Sequence, residues 1–186
     1  KALEIDEIKS LAKQYAQATL NAQKAGFDMI EVHAANGYLI DQFLRDKTNH
    51  RTDQYGGSIE NRTRFLLEVV DEIIKVYPAN LIGCRISPAS TFNDIDDSDP
   101  QKLYSYVAIE LGKRKLAYLH IIEGETGGPR DANPKVNFAE LKKLFKAQGG
   151  MNIMTNNGYN KAMAESAIEN HEADLVAFGV LFLANP

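Results

Sequence analysis

One short segment, HAANGY at positions 33–38, combines three side chains that could act together on a carbonyl compound. His33 and Asn36 can both direct N–H donors at one oxygen, which would polarise a carbonyl and stabilise an enolate if hydride added to the conjugated carbon. Tyr38 could supply a proton to the adjacent carbon as a general acid. The alternative is a histidine and a tyrosine whose polar atoms are paired within the structure. The spacing of His33 matches no helical zinc motif, so we expect no metal site.

Other segments carry residues suited to holding an anion or a cofactor. Arg85 follows the apolar run LIGC, where an arginine needs an anion, a carbonyl or the electron-rich edge of a cofactor ring as its partner. An ion pair with a carboxylate such as Glu31 is the alternative. The segments 156–160 and 178–180 each follow an apolar run, and their glycines let backbone N–H groups approach a phosphate. An ordinary turn is the alternative for the Asn-Gly pair in the first of them.

A regular alternation of helices and strands positions these residues. Apolar residues three and four positions apart predict helices, and short apolar runs bounded by turn residues predict strands. Long helices are expected to begin around Ser58, Asp99, Asn137 and Asn160, and Asn137 has the spacing of a capping box with Glu140. The predicted strands cover 27–33, 81–86, 117–122, 151–154 and 173–178, with a short helix near 39–44. The polar segment between them, 51–62, is interpreted as a loop held by salt bridges and a cap, or else as a solvated charged loop.

This order predicts right-handed βαβ units and a parallel sheet, which is an α/β fold. An open doubly wound sheet and a (β/α)8 TIM barrel both fit the order. No GxGxxG motif follows the first strand, which weakens the open dinucleotide-binding sheet. Polar residues recur at the carboxyl ends of successive strands, and in a barrel those ends meet at one mouth. A barrel takes about 250 residues, so we expect residues 1–186 to form a single partial TIM-barrel domain with about five parallel strands.

Composition excludes several classes of protein and of site. The 186 residues carry a net charge of −4, which argues against nucleic acid as a partner. Cys84 is the one cysteine, so neither a disulfide within the chain nor an iron–sulfur cluster can form. No apolar run approaches the ~18 residues of a membrane span, and no signal-peptide pattern is present. We therefore expect a cytoplasmic protein with no membrane partner.

An ordered series of motifs resembles the Old Yellow Enzyme family of FMN-dependent ene-reductases. The resemblance is closest to the subgroup that includes N-ethylmaleimide reductase, morphinone reductase and 12-oxophytodienoate reductase. The motifs are HAANGYLIDQFL at 33–44, RTDQYGGSIENR at 51–62, RISP at 85–88, TFN at 91–93, LAYLH at 116–120, NGY at 157–159 and DLVAFG at 174–179. Together they extend over essentially the whole chain.

The resemblance implies a barrel with FMN at its mouth, which NADPH or NADH reduces and which passes hydride to the β-carbon of an α,β-unsaturated carbonyl compound. It implies that His33 and Asn36 bind the carbonyl oxygen and that Tyr38 protonates the α-carbon. It places Arg85 against the flavin ring and Phe92 in the wall of the substrate pocket. The backbone positions implied for the FMN phosphate are Asn157, Gly158, Gly179 and Val180.

Two departures from the family pattern bear on function. Val180 stands where the family usually has an arginine that pairs with the FMN phosphate. Loss of that charge-assisted contact, worth about 1.5–3 kcal/mol, would weaken FMN binding by about one to two orders of magnitude. The chain also aligns with strands 4 to 8 of the family's barrel, so we expect a homo-oligomer or a complementing segment that supplies strands 1 to 3. Two functions are left open. The chain is part of an ene-reductase that takes a small-molecule enone, or it is a truncated, non-catalytic binding or assembly module.

Overall fold

The computed structural model describes residues 2–131 and 135–185, in which helices alternate with parallel strands. The helices are α1 (Ile5–Lys24), α2 (Leu39–Leu44), α3 (Ile59–Ile74), α4 (Pro100–Lys113), α5 (Phe138–Ala147), α6 (Lys161–Glu169) and α7 (Val180–Ala184). The strands are β1 (Ile30–Ala34), β2 (Ile82–Ile86), β3 (Tyr118–Ile122), β4 (Asn152–Asn156) and β5 (Leu175–Val176). They form one sheet in the order β1-β2-β3-β4-β5, and every neighbouring pair is parallel. The expected α/β fold with five parallel strands is confirmed.

The expected starts of the long helices are confirmed by side-chain caps. Ser58, Asp99, Asn137 and Asn160 each accept a hydrogen bond from the backbone N–H three residues later. Such caps satisfy amides that have no partner within the helix. The predicted capping box is only half formed, because Asn137 N–H donates to Gln101 Oε1 at 2.6 Å and not to the side chain three residues on.

All five strands differ from their predicted bounds, β2 and β3 only by starting one residue later, and the register explains the late start of β1. Ile30 pairs with Ile82, where β2 begins, so residues 27–29 have no strand beside them. The fourth strand starts and ends later than expected, at Asn152–Asn156. The fifth shrinks to Leu175–Val176, because among the described residues it pairs with β4 alone.

The polar segment 51–62 is held by ion pairs and a cap, as one of its two interpretations predicted. Arg51 Nη2 lies 2.6 Å from Asp53 Oδ2, and the Ser58 side chain caps α3. Arg62 is buried, and its Nη1 lies 2.5 Å from Asp97 Oδ2. The last of these contacts ties the first turn of α3 to the loop before α4.

The two faces of the sheet have opposite chemistry. Val32, Cys84, Leu119 and Ile153 are in register across four strands, are at most 2% exposed, and pack against the helices. Burial raises the pKa of the Cys84 thiol, so this cysteine remains a protonated core residue. Successive residues of a strand point to opposite faces. The next row across the sheet therefore faces away from the helices, and it is largely polar.

No helix in the described parts of the chain combines the length and the apolar composition that a bilayer crossing requires.

Candidate active site

His33 and Tyr38 lie next to each other at the carboxyl end of β1. His33 belongs to β1, and Tyr38 immediately precedes α2. Their ring centroids are 5.5 Å apart, with the ring planes inclined by 46°. Tyr38 is 54% exposed, and neither side chain hydrogen-bonds to another described residue. Their polar atoms are therefore free to meet a ligand, in contrast to the alternative of two internally paired side chains.

Asn36 is held at three of its four polar positions. Its N–H donates to Ser87 Oγ at 2.8 Å, its carbonyl oxygen accepts from Asn93 Nδ2 at 2.8 Å, and its Oδ1 accepts from Thr126 Oγ1 at 2.9 Å. The fourth, the Nδ2 amide, bonds to none of the described residues. The residue has φ 60°, a left-handed conformation that asparagine tolerates. Asn36 Nδ2 is therefore available to donate a hydrogen bond to the carbonyl oxygen of a ligand.

The electrostatic environment of His33 favours a neutral ring. Burial, and then the positive charge of Arg85, lower the pKa of His33. A neutral imidazole carries one N–H donor, which can bind an oxygen without adding a full positive charge to the site.

Arg85 lies next to His33 in the register of the sheet, on the polar face. Its Nε is buried and has no hydrogen-bond partner among the described residues. The alternative predicted for it, an ion pair with Glu31, is not formed. Glu31 Oε2 lies 2.8 Å from His120 Nδ1 instead. A buried donor without a partner is costly, so Arg85 is suited to a ligand at this end of the sheet.

The pKa of Glu31 is lowered by this arrangement. Burial acts in the opposite direction, but the hydrogen bond with His120 and the electrostatic interactions with His120 and Arg85 outweigh it. Glu31 therefore carries a negative charge that interacts with Arg85 electrostatically, without a direct hydrogen bond to it.

The turn after β2 brings Phe92 beside the HAANGY segment. A Cβ on Gly37 would lie 2.8 Å from the carbonyl oxygen of Phe92 and 2.7 Å from the Cβ of Asn93. Gly37 also has φ +71°, so both the close approach and the backbone conformation require glycine there. The Phe92 side chain is 44% exposed and is available to line a pocket.

The segments predicted to hold a phosphate follow two adjacent strands, β4 and β5. Asn157 Nδ2 donates to the carbonyl oxygens of Glu123 and Glu125 at 2.7 and 2.8 Å, which anchors this turn to the loop after β3. A Cβ on Gly179 would have no atom within 4 Å, and Val180 is 82% exposed. Four backbone N–H groups here donate to none of the described residues: those of Asn157, Gly158, Gly179 and Val180.

Glu123, at the end of β3, has its carboxylate fully engaged within the protein. Its Oε2 accepts from Arg130 Nη2 at 2.6 Å and from Tyr159 Oη at 2.7 Å, and its Oε1 accepts from Lys142 Nζ at 2.7 Å. The Arg130 guanidinium also lies 3.8 Å from the centre of the Tyr159 ring. Although Glu123 occupies the strand-end position typical of functional residues, it organises the loops and has no free oxygen for a ligand.

A buried network under the HAANGY turn was not anticipated from the sequence. Asp41 is fully buried and accepts from Gly37 N at 3.0 Å, Arg45 Nε at 3.0 Å and Tyr104 Oη at 2.8 Å. Arg45 Nη2 in turn donates to the Ser87 carbonyl oxygen at 2.6 Å. The i,i+4 spacing of Asp41 and Arg45 on α2 was the available signal. Both residues lie within the motif at 33–44, in which the residues predicted to be functional were His33, Asn36 and Tyr38.

Comparisons with known proteins place this geometry in a family. The family model described as NADH:flavin oxidoreductase / NADH oxidase matches residues 1–186. The chain is 43% identical over 185 residues to a probable flavin mononucleotide-dependent alkene reductase of Leishmania infantum, covering 100% of this chain and 48% of the relative. It is 41% identical over 194 residues to 12-oxophytodienoate reductase 7 of Oryza sativa subsp. japonica, covering 99% and 49%.

Solved structures agree with these matches. Morphinone reductase superposes with a TM-score of 0.89 at 40% identity, covering 99% of this chain and 48% of that one. The Old Yellow Enzyme homologue of Zymomonas mobilis superposes with a TM-score of 0.88 at 35% identity, covering 100% and 52%. The chain spans about half the length of the curated relatives it matches. The expected partial barrel is thereby confirmed, and the chain belongs to the NADH:flavin oxidoreductase / NADH oxidase family, the Old Yellow Enzyme family of the sequence resemblance.

Proposed function

We propose that this chain is part of an FMN-dependent ene-reductase, which uses NADH or NADPH to reduce the C=C bond of α,β-unsaturated carbonyl compounds. One observation carries the proposal: among the described residues, the polar groups of His33, Asn36 Nδ2 and Tyr38 have no hydrogen-bond partner, and neither does Nε of the adjacent Arg85. The names of relatives support it, since they include a probable flavin mononucleotide-dependent alkene reductase and a morphinone reductase solved in complex with tetrahydroNAD.

The residues fit FMN at the two ends of that cofactor. Arg85, with its buried unpaired Nε, suits the electron-rich edge of the ring. The backbone N–H groups of Asn157, Gly158, Gly179 and Val180 suit the phosphate, because free amides at glycine-containing turns bind anions. FMN, when bound, supplies the hydride-transfer chemistry.

The chain's own residues then have separate roles toward the substrate. His33 and Asn36 donate hydrogen bonds to the carbonyl oxygen and stabilise the negative charge that develops there. Tyr38 donates its phenolic proton to the α-carbon. Phe92 lines the pocket and excludes water from the reacting atoms. The neutral state of His33 is suitable, since one N–H donor is enough for this role.

We further propose that the remaining strands of the barrel come from a segment outside these residues, in the same protein or in a complementing one, or that a second copy of the chain covers the open sheet. Within the described residues, β1 and β5 are the ends of the sheet, each paired on one side only. Leu181, Phe182 and Leu183 of α7 are also exposed, at 57%, 63% and 82%. Unpaired strand edges and exposed apolar side chains favour a covering partner. A single partial-barrel domain across residues 1–186 and a cytoplasmic location, which suits a chain whose one cysteine is buried, remain predictions.

The replacement of Val180 by arginine is expected to tighten FMN binding by about 10- to 100-fold, because it adds a charge-assisted phosphate contact. The measurement is the quenching of FMN fluorescence on titration with protein. Leu183→Arg is the matched control, since Leu183 is equally exposed on the same helix but three residues further from Gly179. Equal affinities for the two variants would contradict the predicted position of the phosphate.

The function is tested by anaerobic oxidation of NADH or NADPH. The sample is the FMN-loaded complete barrel, in which these five strands are combined with the other three. We expect oxidation that depends on added 2-cyclohexenone and yields the saturated ketone. A protein that binds FMN but oxidises neither nicotinamide, with or without the enone, would favour the alternative, a non-catalytic binding or assembly module. That alternative rests on Val180 and on the match of the chain to only about half of its relatives' length.

A further inference from the structure

We infer that Thr126 is a positioning residue for substrate binding, because its hydroxyl holds the Asn36 amide in the orientation that presents Nδ2 to the ligand. The inference rests on the proposed function and adds to it a residue from the loop after β3. Thr126 lies 90 positions from Asn36 in the chain, and the hydrogen bond from its Oγ1 to Asn36 Oδ1 is 2.9 Å.

The rotation of the amide is the one degree of freedom that the rest of the structure leaves open. The Asn36 backbone is fixed at both polar atoms, by Ser87 and by Asn93. An asparagine amide has an oxygen acceptor on one side and an NH₂ donor on the other, and a half-turn about χ2 exchanges them. Among the described residues, the Thr126 hydroxyl is the one hydrogen-bond partner of the Asn36 side chain, and it donates to Oδ1. Donation from the hydroxyl requires Oδ1 on its side, which places Nδ2 on the other side.

Thr126 is itself rigidly held, so its hydroxyl has a defined direction. The neighbouring Glu125 carboxylate accepts from Ser90 Oγ at 2.7 Å, from Thr91 N at 2.9 Å and from Thr91 Oγ1 at 3.0 Å. Thr126 N donates to Ser90 Oγ at 3.3 Å. Asn157 Nδ2 donates to the Glu125 carbonyl oxygen at 2.8 Å. The loop after β3 is thus fastened to the loops after β2 and β4 before its hydroxyl reaches Asn36.

The chemical consequence is specific to ligands that bind through an oxygen. With the hydroxyl present, the carbonyl or phenolate oxygen meets an N–H donor. Without it, the amide can turn and present its own oxygen lone pairs to the ligand oxygen, which is repulsive. Removal of the hydroxyl should therefore weaken all such ligands by a similar factor, whatever their size.

The test is calorimetric titration of 4-hydroxybenzaldehyde, a phenol, into the FMN-loaded protein with all eight strands present. Thr126→Val is expected to weaken binding about tenfold, the effect of one oriented hydrogen bond to an oxyanion. Thr126→Ser retains the hydroxyl and should stay within about threefold of the wild type. Thr19→Val is the matched control, because it removes a threonine hydroxyl that donates to the Tyr15 carbonyl oxygen within α1 and contacts neither Asn36 nor the loop after β3.

A double-mutant cycle separates positioning from a general structural role. In the Asn36→Ala background, Thr126→Val should have no further effect, whereas a structural role would weaken binding again. Equal binding by Thr126→Val and the wild type would overturn the inference. So would an undiminished effect in the Asn36→Ala background, or failure of both Thr126→Val and Thr126→Ala to fold. A wild-type protein that binds FMN but no phenol would instead overturn the proposed function.

Discussion

Simultaneous replacement of His33 and Asn36 by alanine is expected to lower kcat/KM for 2-cyclohexenone about a thousandfold. Removal of one preorganised donor to a developing oxyanion typically costs about 10²–10³ in rate, and the second loss adds to the first less than fully because both donors act on one oxygen. Both donors have no other partner among the described residues. The measurement is steady-state oxidation of NADPH or NADH against enone concentration.

The control for this variant removes the same two residue types elsewhere. Asn170→Ala with His171→Ala alters an exposed pair just after α6, and we expect it to leave kcat/KM unchanged. FMN content and melting temperature should match the wild type in both double variants. A loss of less than tenfold in the His33/Asn36 variant would exclude these residues as the carbonyl-binding pair.

The second large effect is expected at the buried network under the site. Asp41→Asn should lower the free energy of unfolding by about 3–5 kcal/mol, because it leaves the buried Arg45 guanidinium without its counter-charge. The two side chains are 0% and 1% exposed, and Asp41 Oδ1 lies 3.0 Å from Arg45 Nε. Tyr104, stacked 4.9 Å from the Arg45 guanidinium carbon, cannot replace the missing charge. Urea unfolding of the purified protein followed by circular dichroism measures the change.

Asp71→Asn is the matched control for this prediction. Asp71 also pairs with an arginine, Arg114, at 2.6 Å, but the carboxylate is 49% exposed. Exposed pairs contribute about 0–1 kcal/mol, so this variant should be close to the wild type in stability. If Asp41→Asn and Asp71→Asn had the same stability, the buried network would not be the support of the HAANGY turn. Gly37, whose N–H donates to Asp41, connects this loss of stability to the site.

Local signals in the sequence were sufficient to predict the helices and strands. The short helix expected near 39–44 is found at Leu39–Leu44, and the cap residues Ser58 and Asp99 lie where their side chains can accept from the first helical turn. These features depend on residues a few positions apart. The alternation of helices and strands then restricted the topology to very few choices.

Contacts between distant residues explain what the sequence left open. Thr126 meets Asn36 across 90 positions, and Tyr104 meets Asp41 across 63, so neither partner can be read from spacing. Glu123 lies at a strand end, where functional residues are expected, but its carboxylate accepts hydrogen bonds from three side chains of later segments. The residues alone indicated a carbonyl-binding pair and an anion-binding turn, whereas FMN was identified by the family resemblance.

The visible absorption spectrum of the FMN-loaded protein, recorded as a phenol is added, tests the central claim most directly. If His33 and Asn36 bind an oxyanion against a flavin held by Arg85, phenol addition should produce the long-wavelength charge-transfer band that phenolates give in this family. The band should be absent in the His33→Ala, Asn36→Ala double variant at the same phenol concentration. A spectrum that stays identical to that of free FMN, with the wild-type protein in excess, would contradict the claim.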